Sequence, residues 1–156
     1  MRSFVSTRVK IRLLAVGLTA AAFVAVPATA ASAATAPSVT SSQARVHTVL
    51  AYAYAQIGKP YRMGGAGPRT FDCSGLTMRA WGRVGVRLAH YTGTQQHQGR
   101  QVSLSRLQPG DLVFWGRPAY HVAIYIGGGR VIVAPHTGAR VQIKRIWGHP
   151  SSATRL

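Results

Sequence analysis

Acidic side chains are nearly missing from this 156-residue chain: Asp72 and Asp111 are the only two, against 19 Lys and Arg, for a formal net charge of +17 at pH 7. Such a surplus draws a protein to polyanions. No dense Lys/Arg block accompanies it, so the charge can equally be spread over a solvated surface, and no motif supports specific nucleic-acid binding. Cysteine is almost as scarce. Cys73 stands alone, which excludes an internal disulfide and leaves burial, pairing with another chain or use as a nucleophile. One cysteine and six scattered histidines show none of the usual metal-ligand spacings, and neither a metal nor a cofactor is expected. Long apolar runs are also missing. The longest uncharged apolar stretch, Leu13 to Val26, falls short of the roughly 20 residues that a bilayer span requires.

That stretch has another use. Arg2, Arg8, Lys10 and Arg12 precede it, and Pro27, Ala28-Thr29-Ala30 and Ala31-Ser32-Ala33 follow, the pattern of a cleavable secretory signal over residues 1–33 with exits after Ala30 or Ala33. Removing these four cations from +17 leaves +13. An Ala/Ser/Thr/Pro tract over 34–42 reads as a flexible tether, and residues 43–156 suffice for one domain with a single core. A monomer is expected, secreted or wall-associated, without a membrane span once the signal is gone.

The domain's first half is helical. Thr40-Ser41-Ser42-Gln43 fits a capping box, and Val46, Val49, Leu50, Ala53 and Ile57 recur at helical spacing before Gly58-Lys59-Pro60. Tyr61 to Thr70 is a Gly/Pro-rich loop. A second helix starts at Asp72 to Ser74, so Cys73 falls at a helix N-terminus, where free N–H groups and the dipole favour a thiolate. Asp72 beside it would oppose that effect if it faced the sulfur, and is expected to point away, as a helix cap or towards a cationic substrate group.

The second half changes period. Pro109-Gly110-Asp111 is a turn in which Asp111 bonds backbone N–H groups. Leu112–Trp115, His121–Ile126, Val131–Ala134 and Val141–Ile146 alternate as strands, the middle two forming a hairpin across Gly127–Arg130. Helices first and antiparallel strands second make an α+β layering. A cysteine nucleophile needs a base, and His121, opening a well-marked strand, is the best placed of the histidines. His47, His90, His97 and His149 are better read as surface or cleft residues.

Five segments carry a resemblance: Tyr61-Arg62-Met63-Gly64-Gly65, Phe71-Asp72-Cys73-Ser74-Gly75-Leu76, Pro109 to Trp115, His121 to Gly127, and Ala134-Pro135-His136-Thr137-Gly138. In this order and spacing, the chain from about Tyr52 to Trp147 resembles the papain-like cell-wall cysteine endopeptidases of the NlpC type. The resemblance implies a papain-like fold and hydrolysis of peptidoglycan stem peptides, most often between D-γ-glutamate and the next diamino acid. It implies Cys73 as nucleophile and His121 as base, Tyr61 near the nucleophile, and Asp72 and Ser74 as substrate-binding residues. Stem peptides and anionic wall polymers are the implied partners.

One position departs from the pattern. The family's third polar residue, which orients the histidine, falls here on Val133, and valine accepts no hydrogen bond. His136 is the substitute if Ile126 pairs with Val131, a register that sets His136 opposite His121; a slip of one residue moves it to the other face. The same departure leaves open an inactive wall-binding module, and the same chemistry would also suit an exported antibacterial amidase.

Overall fold

The computed structural model describes residues 40–156, so the expected signal and all but the end of the expected tether lie outside the described residues. Helix α1 spans Ser41–Tyr54, and Thr40 caps it: the Gln43 N–H donates to Thr40 Oγ1 at 3.3 Å, and the Thr40 N–H donates to Gln43 Oε1 at 3.0 Å. This reciprocal pairing satisfies two otherwise orphaned donors. The first two residues of α1, Ser41 and Ser42, thus fall at the end of the stretch that composition assigns to a tether.

Helix α2 spans Cys73–Gly82 with Asp72 as its N-cap, and the single-turn α3 spans Thr92–Gln95. Six strands follow: β1 Arg100–Val102, β2 Leu112–Trp115, β3 His121–Gly127, β4 Arg130–Val133, β5 Gln142–Arg145 and β6 Ser152–Arg155. They form one antiparallel sheet in the order β1-β6-β2-β3-β4-β5. The fold is α+β and papain-like, with the cysteine on a helix and the histidine on the sheet.

Both faces of the central strands are covered, which explains their unbroken apolar runs. Leu112, Phe114, Val122, Ile124 and Ile132 meet Val49 and Ala53 of α1 and Leu76, Ala80 and Trp81 of α2 in the main core. Val113, Trp115, Ala123, Val131 and Val133 turn to the other face and join Tyr125, Ile146 and Trp147 in a smaller cluster. The period of two along each strand assigns His121, in step with Ala123, to this second face.

The β3–β4 hairpin differs from the expected register. Tyr125 pairs with Val131 and Ile124 with Ile132, while Gly127 pairs with Arg130. Ile126 is thus an extra residue, a bulge beside a turn whose Gly127, Gly128 and Gly129 all take positive φ. Counting on from Ile124 and Ile132 brings Pro135, not His136, across from His121.

Candidate active site

Cys73 occupies the first turn of α2 and is 8% exposed. The first N–H groups of a helix have no partner within it. Here Gly75 N–H donates to Asp72 Oδ1 at 2.7 Å and Leu76 N–H to the Asp72 carbonyl at 3.0 Å, while the Ser74 backbone favours the Cys73 thiolate. The Cys73 N–H, at the first helical position, has no acceptor within the helix. The Val122 backbone also favours the thiolate, which sets the nucleophile near the peptide that follows His121. Thr92 Oγ1 lies 3.7 Å from Sγ.

A cleft of about 360 Å³ brings Cys73 and His121 together with Tyr61, Met63, Trp115, Tyr120, His136, Lys144 and Trp147 among its walls. Burial pushes the Cys73 thiol up, outweighing the favourable bonds from Thr92, Val122 and Ser74, and Asp72 adds to the rise. The lowering expected at a helix N-terminus is therefore reversed, because desolvation penalises the thiolate more than the exposed N–H groups favour it. Burial, helped by Lys144 and then His136, holds the His121 imidazole down to about 4. The pair at rest is neutral thiol and neutral imidazole, and proton transfer has to accompany attack on a carbonyl.

Asp72 and Ser74 do not line this cleft. Both are buried, and the Asp72 carboxylate collects Gly64 N–H at 2.8 Å, Gly75 N–H at 2.7 Å, the Ser74 hydroxyl at 3.2 Å and His90 Nε2 at 2.9 Å. A carboxylate with this many donors has little capacity left for a substrate amine. Both side chains thus sit in a buried network next to Cys73 and not on the cleft wall. Gly75 makes the network possible: a Cβ there would collide with the Gly65 carbonyl oxygen and stand 2.9 Å from His90 Nε2. Tyr61 does face the cleft, its hydroxyl 3.8 Å from Met63 Sδ.

His136 lines the cleft but is exposed, and its Nδ1 is 2.9 Å from the Thr137 carbonyl. The position expected of an orienter, Val133, is fully buried in the second cluster. His121 Nε2 is buried with no hydrogen-bond partner. Around the imidazole stand two indoles instead, Trp115 and Trp147, each with its ring centre 5.8 Å away. His90, expected at the surface or in the cleft, instead sits on the Asp72 carboxylate and off the cleft wall; Thr92, Lys144 and Trp147 were not singled out from sequence, and each gains its place through contacts distant along the chain. Among the described residues, no group of three His, Cys, Asp or Glu could hold a metal ion.

The NlpC/P60 family profile matches residues 58–154, which include every one of these side chains. The chain belongs to the NlpC/P60 family. It is 39% identical over 127 residues to the peptidoglycan endopeptidase RipA of Mycolicibacterium smegmatis, covering 71% of this chain and 26% of that protein. The chain thus spans about a quarter of that relative's length. Among solved structures, the NlpC/p60 domain of the peptidoglycan hydrolase SagA superposes with a TM-score of 0.68 at 40% identity, covering 71% of this chain and 98% of that one. RipD of Mycobacterium tuberculosis, described as a non-catalytic NlpC/p60 protein adapted to peptidoglycan binding, superposes at 0.64 with 26% identity, over 72% of this chain and 97% of that one. NlpC/P60 membership therefore covers both hydrolases and binders, and the site has to decide between them.

Proposed function

We propose that this NlpC/P60 protein is a secreted cysteine endopeptidase of peptidoglycan stem peptides, cleaving at the D-γ-glutamyl–diamino acid bond. The observation that carries this reading is the shared cleft: Cys73 on the first turn of α2, beside the peptide joining His121 to Val122. Cys73 Sγ bonds to the scissile carbonyl carbon as its proton passes to His121, and the C=O electrons move to oxygen. The Cys73 N–H, with the Tyr61 hydroxyl nearby, stabilises that oxyanion. Collapse breaks the C–N bond as His121 returns the proton to the leaving amine, and water then hydrolyses the thioester. His136 acts from the cleft wall on substrate, since its Nδ1 is engaged with Thr137. Free carboxylates of the stem peptide, and anionic wall polymers, suit a cleft edged by Lys144 and His136.

The test is digestion of purified peptidoglycan by the wild-type protein and by Cys73→Ala. Soluble muropeptides should appear with the first alone, and their masses identify the bond cut. Identical products from both would remove the enzymatic reading.

A second reading, a wall-binding module, is favoured by one observation: His121 Nε2 has no acceptor. It predicts wall binding without release of muropeptides by either protein. Export predicts that the protein recovered outside the cell begins at Ala31 or Ala34.

A further inference from the structure

We propose that the stacked Trp115–Trp147 pair is the positioning element of His121, holding the imidazole against its rim where a polar acceptor would otherwise fix the ring. The inference rests on the reading of Cys73 and His121 as nucleophile and base. Trp115 and Trp147 stack with ring centres 4.2 Å apart and planes 13° from parallel. His121 lies 5.8 Å from both, tilted 56° to one and 57° to the other. Equal distances and equal tilts set the imidazole at the edge of the stack, over neither face.

The stack is itself held on several sides. Trp115 is the direct cross-strand partner of His121, and its Nε1–H donates to the Trp147 carbonyl at 2.9 Å. Lys144 Nζ stands over the Trp147 ring, 4.6 Å from its centre. Val133, one step diagonal to His121 across β3 and β4, packs into the same cluster. Tilted aromatic contacts of this kind are comparable in free energy to a neutral hydrogen bond, so two of them can restrain ring rotation as one acceptor would.

The substitution has a chemical consequence. A carbonyl or carboxylate acceptor both orients a histidine and stabilises its protonated form. The rim of an aromatic ring carries the positive end of the quadrupole and gives no such stabilisation. The titratable groups that share the cleft with His121 are Lys144 of β5, His136 of the loop after β4, the Cys73 thiol of α2, Tyr61 of the loop before α2 and Tyr120 of the loop before β3. Lys144 and His136 reinforce the neutral form. The stack thus positions the base without making it more basic.

The test uses Trp147→Ala, Trp147→Phe, Val133→Asn and the Val133→Asn/Trp147→Ala double variant. Turnover of stem peptide is measured, and His121 is titrated by NMR, a readout independent of activity. Trp147→Ala should lower kcat on the order of 10- to 100-fold with little change in KM, part of the 10²–10⁴ that a positioned base supplies. The His121 midpoint should rise from about 4 towards 6.5 as water reaches the ring. Trp147→Phe, which keeps a flat rim, should recover most of both. Val133→Asn offers an acceptor to the ring, and should reduce the loss that Trp147→Ala causes. An unmoved titration and unchanged kcat in Trp147→Ala would overturn the proposal, as would a double variant as impaired as Trp147→Ala alone. If wild-type protein proves inactive on peptidoglycan, the enzymatic reading fails while the titration still decides whether the stack controls His121.

Discussion

In an unfolded chain His121 takes up a proton near 6.5, whereas burial beside Lys144 and His136 keeps it neutral in the folded protein down to about 4. Between these two values the unfolded state binds the proton and the folded state does not, so acidification favours unfolding. The contribution of His121 is fully present above pH 6.5 and is lost progressively towards 4, with an upper size of roughly 3 kcal/mol. Urea unfolding at pH 7.5 and pH 5 should show this fall in wild type and a smaller one in His121→Gln. Equal slopes in the two proteins would mean that other groups carry the pH dependence. The same burial was illegible in sequence. The strand pattern marked His121 as the base candidate, yet Lys144 is 23 residues further on and Trp147 lies beyond β5. Their approach depends on sheet order, which no local period encodes.

At the scale of elements, the start of α2 and the loop over residues 61–72 form one unit, joined by Asp72. Its carboxylate caps the helix at Gly75, ties down the loop at Gly64 and pairs with His90. Truncation to Asp72→Ala removes the cap and leaves buried donors unpaired, at a cost of about 2–4 kcal/mol. Asp72→Asn should cost less, because one oxygen remains for Gly75. The measurement is the shift in urea midpoint at unchanged slope. An Ala variant as stable as wild type would return Asp72 to a role in substrate recognition.

Capping signals of this kind were legible: Thr40 and Asp72 both sit where residue type and spacing put them, as do the four strands rich in Val, Ile, Phe and Trp. Strand β6 was not. Ser152-Ala153-Thr154-Arg155 has no run of large apolar residues, yet it fills the sheet between β1 and β2, with Ala153 and Thr154 fully buried. Asp111 shows the same limit. Its turn bond to the Gln108 N–H was expected, whereas its two bonds from Arg155, at 2.7 and 2.8 Å, depend on where β6 lies.

Across the whole molecule, charge is arranged with almost no internal compensation. Both acids are buried and engaged, Asp72 with His90 and Asp111 with Arg155, and among the described residues Arg155 is the only Lys or Arg paired to a carboxylate. Among the described residues, the other cations include two separate groups of arginines. Two cavities of about 650 Å³ that share no wall with the cleft are each edged by arginines, one by Arg79, Arg83 and Arg87, the other by Arg100 and Arg106 beside the engaged Arg155. With the positive field spread in this way, the wall binding proposed above is expected to be a sum of many screened contacts. Screening shortens from a Debye length of about 8 Å at 0.15 M salt to about 3 Å at 1 M, so binding of the Cys73→Ala protein to purified walls should weaken steadily over that range. Replacing either arginine set by glutamine should weaken retention in part, and neither should abolish it. Retention that ignores salt would point to a shape-specific wall contact, and abolition by replacing either free set alone, Arg79/Arg83/Arg87 or Arg100/Arg106, would point to a single binding site.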